Sequence, residues 1–361
     1  MKAVPGCIDA LDTIRPSQLS GRSVLITGGG SGFGRQLAIM CATAGADVVI
    51  GDLNTKGLEG TIDLCRGLSG SCQAPSETSD VTVESSLRQL FAFAQATFGR
   101  PADVVVANAG ITEVGRLSED VALKNELGRY PKEPNLLTMN VNFSGVLLTA
   151  QLAEEAWKSE PSTEHNRQLV LLASMGGHSG IPGAPLYSAS KHGVVGLWVA
   201  YCAKLRALPE PTFSCHAICP FFSFTGILGR AVFLALAGLS VVQPETVAST
   251  VLHIVRDTSL NDGLGSMYCL PDHKEPLEFS TDYVGPLDHS FYQEITETIR
   301  QRQKVYDDPE YVQCRDDEIL TAIGTNRADV PFIALLVSPS VASMAMKMQL
   351  LKNSLFASPD M

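Results

Sequence analysis

The segment SVLITGGGSGFGRQLAIMCATAGADVVIGD, residues 23–52, leaves little choice of local fold. VLIT and DVVIGD are short apolar runs rich in β-branched residues, and the residues between them carry helical spacing. The stretch therefore reads as strand, glycine turn, helix, strand: one βαβ unit, with its two strands parallel. A strand ending at Thr27 and a helix beginning near Gly34 leave Gly28, Gly30, Ser31, Gly32 and Phe33 in the connection. Glycine lets a backbone approach a pyrophosphate closely and take positive φ, while the helix N-terminus supplies amides and partial positive charge. Asp52 follows about twenty residues on, where a carboxylate accepts hydrogen bonds from the adenosine ribose and repels a 2′-phosphate. No lysine or arginine occurs between positions 27 and 33, so NAD(H) is favoured over NADP(H), with Arg35 and Lys56 the nearest cations. An ordinary tight turn, and a strand-end turn residue at Asp52, are the alternatives on sequence alone.

The pattern continues. DVVVAN (103–108) and QLVLLAS (168–174) read as further buried strands, CHAICP and GSMYCL as the last ones, with helices at 85–98 and 136–157. Continuous apolar strands alternating with helices imply an α/β fold: a Rossmann-type, doubly wound parallel sheet with helices on both faces. Polar stretches at 112–135 and 159–167 are expected on the surface, and 273–288 as loop. The expected division is an N-terminal extension (1–18), the Rossmann domain (19–272) and an apolar, partly helical C-terminal extension (273–361).

With 361 residues, 45% of them hydrophobic and 18% charged, the chain can bury one large core. A net charge of −11 argues against nucleic acid as partner, since phosphate backbones require a basic surface. The nine cysteines are scattered, without the CxxC pairs of a zinc site, so no metal is expected and a reducing compartment is. The N-terminus lacks the apolar run of a signal peptide, which makes a cytoplasmic location the expectation. The apolar stretch 220–242 is interrupted by Arg230 and several glycines and reads as a buried or lid segment; no integral membrane segment is expected.

Chemistry concentrates around YSASK. Tyr187 and Lys191, at i and i+4, project from one face of a helix, with Ser174 at the end of the preceding strand. An unperturbed phenol titrates near ~10. An adjacent ammonium favours the phenolate, and a serine hydroxyl can hold a substrate oxygen against the phenol, so proton transfer to or from an alcohol becomes feasible.

Together, TGGGSGFG, Asp80, NAG at Asn108, Ala109 and Gly110, NVNFSG around Asn142, Ser174, YSASK and CPFFSFT occur in one order along the chain. In these motifs the sequence resembles the short-chain dehydrogenase/reductase family from Leu19 to Asp272, leaning toward its NAD-linked hydroxysteroid and hydroxyprostaglandin dehydrogenases. The resemblance implies a tyrosine acid/base in Tyr187, a substrate-positioning Ser174, and a Lys191 that holds the nicotinamide ribose and lowers the tyrosine's pKa. It further implies a proton-relay role for Asn142, with Asn140 the competing candidate two residues earlier. Asp80 and Val81 would contact adenine, and Asn108, Ala109 and Gly110 would line the cofactor and brace the central strand. Pro220 and Thr225 would contact the nicotinamide end; Phe221 stands where the family has glycine. Family members are commonly homodimers or homotetramers.

Phe221, Phe222, Phe224 and the run GILGRAVFLALAGLSVV suggest an apolar substrate pocket, with an apolar lid packed on the protein or a partner subunit as the alternative. The expected function is NAD-dependent interconversion of a bulky, apolar secondary alcohol and its ketone. A non-redox epimerase, dehydratase or cyclase on the same site, and a noncatalytic nucleotide-binding protein, are the alternatives.

Overall fold

The computed structural model describes residues 2–3, 14–15, 17–114, 135–160, 167–178, 180–181, 183–223, 225, 241–256, 265–270 and 276–280. Residues 1–227 and 242–285 form one compact unit. Its strands are β1 (Lys2–Ala3), β2 (Ser23–Thr27), β3 (Asp47–Gly51), β4 (Ser71–Gln73), β5 (Val104–Ala107), β6 (Gln168–Leu172), β7 (Ser214–Pro220), β8 (Ser266–Leu270) and β9 (Leu277–Ser280). The helices are α1 (Gly32–Thr43), α2 (Thr55–Cys65), α3 (Glu84–Phe98), α4 (Leu137–Met139), α5 (Gly145–Ser159), α6 (Pro185–Arg206) and α7 (Pro244–Arg256).

Seven strands run parallel in the order β4-β3-β2-β5-β6-β7-β8. Strands β2, β5, β6, β7 and β8 are buried along their whole length, as a sheet covered on both faces requires. Alternate strand residues divide the core. Val24, Ile26, Val104, Val106, Val170 and Ile218 belong to one apolar cluster with α1, α2 and α7. On the other face α3, α5 and α6 pack in sequence, with Trp157 donating its indole N–H to the Ala102 carbonyl at 2.7 Å.

At the amino end of the sheet, Asp103 ties three elements together. Its carboxylate accepts from the Ser23 amide (2.8 Å) and hydroxyl (3.0 Å) and forms a two-pronged ion pair with Arg100. Although burial opposes ionisation, Arg100, the Ser23 amide and Arg22 hold this carboxyl below its usual range.

The structure departs from the sequence expectations in four places. The stretch after residue 272, expected as loop, contains β9, which pairs antiparallel with β8; β1 pairs antiparallel with β9. The sheet thus extends at one edge beyond the expected 19–272 span, with segments from both flanks. Short, polar β4 and the helix α2 were not legible as elements, because SCQ carries no strand signature and edge strands need none. The helix expected at 136–157 is interrupted: a π turn at Asn140–Ser144 separates α4 from α5. Finally, Arg167, expected on the surface, is 4% exposed and donates to the carbonyls of Trp157 (2.7 Å) and Glu160 (2.5 Å). Its charge is tolerated because carbonyl acceptors replace water.

The substrate-lid expectation for residues 226–240, together with Phe224, lies outside the described residues, as does the extension after 280. Among the described residues no helix is long and apolar enough to cross a membrane.

Candidate active site

The strand order reverses between β2 and β5, and in an open parallel sheet the crevice at the carboxyl ends of such a pair is where ligands bind. The glycine turn lies there. Gly28 has φ +73°, and a Cβ on it would meet Ala109 Cα at 2.8 Å; one on Gly34 would meet the Gly28 carbonyl oxygen at 2.2 Å. The turn and the start of α1 are therefore packed too closely for any side chain at these two positions. Asn108 locks the arrangement from β5: its amide donates to the carbonyls of Thr27 (2.8 Å) and Gly28 (3.1 Å), and the Thr27 hydroxyl accepts from the amides of Asn108 and Ala109.

The N-terminus of α1 is left open. Ser31 occupies the cap position without a side-chain cap bond, and the first turn carries no acidic residue. Uncapped first-turn amides with the helix dipole behind them suit an anion, so the residues present fit a dinucleotide pyrophosphate. Thr225 adjoins this turn: a Cβ on Gly32 would lie 3.5 Å from the Thr225 side chain.

Asp52 leaves the end of β3 and spans the turn, one carboxylate oxygen accepting from the Gly30 amide (2.9 Å) and the other from the Asn54 amide (2.9 Å). Arg35, the nearest cation in the sequence, is committed elsewhere. Its guanidinium donates to the Gly30 carbonyl (2.5 Å), the Gly57 carbonyl (3.3 Å) and the Thr61 hydroxyl (3.0 Å). Asp80 directs one oxygen at the amide (2.8 Å) and hydroxyl (2.7 Å) of Thr82, shaping the turn before α3, and Val81 is buried against Gly145.

Ser174, Tyr187, Lys191 and Asn142 come together from three elements. Ser174 ends the β6 segment and opens a 3-10 turn, Met175–Gly177, its hydroxyl accepting from the Gly176 amide at 3.0 Å. That hydroxyl lies beside the Tyr187 side chain: a Cβ on Gly176 would stand 3.4 Å from both Ser174 Oγ and Tyr187 Cε1. The glycine keeps the space beside the two hydroxyls clear. Lys191, 5% exposed, donates from Nζ to the Leu172 carbonyl (2.8 Å) and lies 5.8 Å from the centroid of the Tyr187 ring.

Asn142, fully buried on the π turn, exchanges two hydrogen bonds with the Ile111 backbone, each 2.8 Å, and donates to Ser190 at 3.3 Å. A Cβ on Gly110 would stand 3.3 Å from its Oδ1 and 3.8 Å from Lys191 Nζ. Asn140 is exposed, whereas Asn142 is buried. The extra residue of a π turn rotates Asn142 inward while the flanking helical segments continue.

The electrostatics differ from the sequence expectation in one respect. Burial pushes the Tyr187 phenol above its usual value; the neighbouring Ser174 hydroxyl opposes this, and the charge of Cys219 adds to it. Desolvation penalises a phenolate, and here it also penalises the neighbouring ammonium, lowering Lys191 from 10.5 to about 8 against a smaller opposing effect of Cys219.

Two features of the site were not visible in the sequence. Helix α6 has Ala184 at its cap position, with no capping side chain. The missing acceptor comes from Glu113, whose two carboxylate oxygens take the amides of Leu186 (3.2 Å) and Tyr187 (2.6 Å). Its position lies in a stretch expected as polar surface, and nothing in the local pattern links it to a helix more than seventy residues away. The second feature is a buried group of His178, Cys219 and Cys269 behind Ser174. Pro220 follows Cys219; its carbonyl is 3.4 Å from Ser174 Oγ, and Phe221 donates its amide to the Leu270 carbonyl and stacks edge-on against Phe222.

Residues 22–227 match the family model of the short chain dehydrogenases. The short-chain dehydrogenase/reductase prx4 of Penicillium roqueforti is 31% identical over 65% of this chain and 65% of its own, so the chain spans about two thirds of that relative's length. The short-chain dehydrogenase/reductase ascJ of Acremonium egyptiacum is 30% identical over 67% of this chain and 77% of its own. Among solved structures, the 3-ketoacyl-(acyl-carrier-protein) reductase of Brucella melitensis in complex with NADH superposes with a TM-score of 0.56 at 24% identity, covering 69% of this chain and 97% of its own. With the glycine turn, the seven-stranded parallel order and a family match across more than half its length, this chain belongs to the short-chain dehydrogenase family.

Proposed function

We propose that the protein is an NAD-dependent oxidoreductase that interconverts a secondary alcohol and a ketone. The observation that carries this reading is the convergence of the Ser174 and Tyr187 hydroxyls with Lys191 at the carboxyl edge of the sheet, beside the open N-terminus of α1. When bound, the nicotinamide supplies hydride exchange at the carbinol carbon. Ser174 holds the substrate oxygen, and Tyr187 exchanges the hydroxyl proton as acid or base. Lys191 stabilises the phenolate and takes the nicotinamide ribose, and Asn142, through Ile111 and Ser190, keeps the relay side of the lysine polar.

Thr27, Gly28, Gly30, Ser31, Gly32, Phe33 and Gly34 would cradle the pyrophosphate, with Asp80, Val81, Asn108, Ala109, Gly110, Pro220 and Thr225 completing the cofactor wall. The position of Asp52 across the turn and the engagement of Arg35 by carbonyls favour NAD(H): a 2′-phosphate would meet a carboxylate rather than a free guanidinium. The NADH complex of the Brucella melitensis reductase supports a nicotinamide cofactor of this kind. The substrate is a bulky apolar alcohol or ketone, read from Phe221 and Phe222 at the end of β7. The working form is a cytoplasmic homodimer or homotetramer, with residues 273–361 as an extension of the catalytic domain.

Fluorescence titration with NADH and NADPH, on the wild type and Asp52→Ala, tests the cofactor assignment. Tighter NADH binding that weakens in the variant supports it; a preference for NADPH in the wild type overturns the role of Asp52.

A further inference from the structure

Three soft donor side chains from three different elements meet behind Ser174. Cys219 and Cys269 are direct register partners on the parallel strands β7 and β8, and His178 follows the 3-10 turn Met175–Gly177. The ligand atoms of the three all lie within 4.8 Å of one another, with Cys269 Sγ 4.0 Å from His178 Nε2. All three residues are buried, the cysteines at 0% and 1% exposure and the histidine at 7%. The other buried cysteines of the core, such as Cys41 and Cys202, show no such grouping with histidine among the described residues.

We propose that His178, Cys219 and Cys269 form a binding site for one zinc-class divalent cation. Two thiolates and an imidazole are the donors such an ion selects, and they disfavour the hard cations that need oxygen ligands. Charge favours it as well. Binding M²⁺ to two thiols releases two protons to solvent and leaves a site of zero net charge, which can remain buried where a bare cation could not. With zinc–sulfur and zinc–nitrogen bonds of about 2.3 and 2.0 Å, a tetrahedral ion holds its sulfur and nitrogen donors about 3.5–3.8 Å apart, so the 4.0 Å pair must close by about 0.5 Å and the widest separation, within 4.8 Å, by about 1 Å on binding.

The site also has a consequence for the neighbouring chemistry. The Ser174 hydroxyl donates to the carbonyl of Pro220, the residue after Cys219, at 3.4 Å, and His178 is separated from Ser174 only by the 3-10 turn. An ion holding His178 and Cys219 would fix both ends of that turn and with it the Ser174 hydroxyl. The cation acts here as a positioning element and takes no part in hydride or proton transfer.

Cobalt(II) titration of the purified full-length chain, stripped with a chelator under reducing conditions, tests this directly. The expected result is one Co²⁺ per chain with thiolate-to-cobalt charge-transfer absorption, displaced by Zn²⁺, and an affinity lower by at least ~100-fold in Cys219→Ser and in Cys269→Ser. Absence of charge-transfer bands in the wild type, or bands unchanged in both variants, overturns the site. X-ray absorption of the zinc-loaded wild type does not depend on the variants folding: a shell of two sulfurs at about 2.3 Å with nitrogen at about 2.0 Å is expected. A shell of nitrogen and oxygen alone contradicts the proposal.

Discussion

Lys191 should destabilise the fold it serves, by an amount that depends on pH. Its ammonium is buried, and desolvation lowers its pKa from 10.5 to about 8. That depression corresponds to about 3 kcal/mol of unfavourable charge burial at neutral pH. Lys191→Met removes the charge and keeps most of the side-chain volume, but it also removes the donor to the Leu172 carbonyl. Leaving that acceptor unmatched costs about 1–2 kcal/mol. The net expectation at pH 7 is a variant more stable than the wild type by about 1–2 kcal/mol, or about 2–6 °C in Tm. Turnover should be lost. The sign reverses with alkalinity. Below about 8 the lysine is charged in both folded and unfolded chains, and the folded state carries the full penalty. Between about 8 and 10.5 the folded chain binds fewer protons than the unfolded one, so wild-type stability rises relative to the variant. By pH 10 the penalty has fallen to about 1 kcal/mol and the wild type should match or exceed the variant. Urea unfolding of both proteins at pH 7 and pH 10 measures this. A stability difference independent of pH, or a variant less stable than the wild type at pH 7, would show that burial of the Lys191 charge does not carry this cost.

Two further outcomes follow from the hydrogen-bond network. Glu113→Gln should cost about 0.5–2 kcal/mol through the weakened cap of α6, and it should shift the pH profile of kcat/KM because the capped amide is that of Tyr187 itself; an unshifted profile would make Glu113 purely structural. Asp103→Ala should cost about 3 kcal/mol by leaving Arg100 and the Ser23 donors unmatched in the buried end of the sheet. Because the Asp103 carboxyl titrates below its usual range in the folded chain, its contribution is present above the unfolded value and disappears as pH falls through the folded one. The unfolding free energies of wild type and variant should therefore converge in acid.

The parts legible in the sequence were those specified by short-range pattern. The glycine turn sits between a β-branched strand and a helix, so periodicity alone located β2, α1 and β3, and the apolar runs located β5 to β8. Tyr187 and Lys191 were legible because four residues on one helix fix their mutual placement. What escaped depends on contacts between distant segments. Glu113 caps a helix from the end of another loop, and Arg167 is buried because two carbonyls happen to face it. His178, Cys219 and Cys269 carry no common spacing: the register of β7 with β8 pairs the two cysteines, and the 3-10 turn after β6 brings in the histidine. Similarly, β9 exists because β8 would otherwise present an unpaired edge, which no feature of LEFS announces. The unfavourable electrostatics of Tyr187 and Lys191 were invisible for the same reason: charge proximity can be read from i,i+4 spacing, but desolvation requires knowing what surrounds the pair.

In the proposed reaction, hydride passes between a substrate carbinol carbon and NAD while Tyr187 exchanges the hydroxyl proton. The most direct test incubates the protein with NAD and a panel of bulky apolar secondary alcohols deuterated at the carbinol carbon, following nicotinamide absorbance and recovering the reduced cofactor. Deuterium at the nicotinamide C4 position in the wild type, with the rate reduced by ~10²–10⁴ in Tyr187→Phe, is the predicted result. Product formed with no label in the cofactor, or label transfer undiminished in Tyr187→Phe, would contradict it.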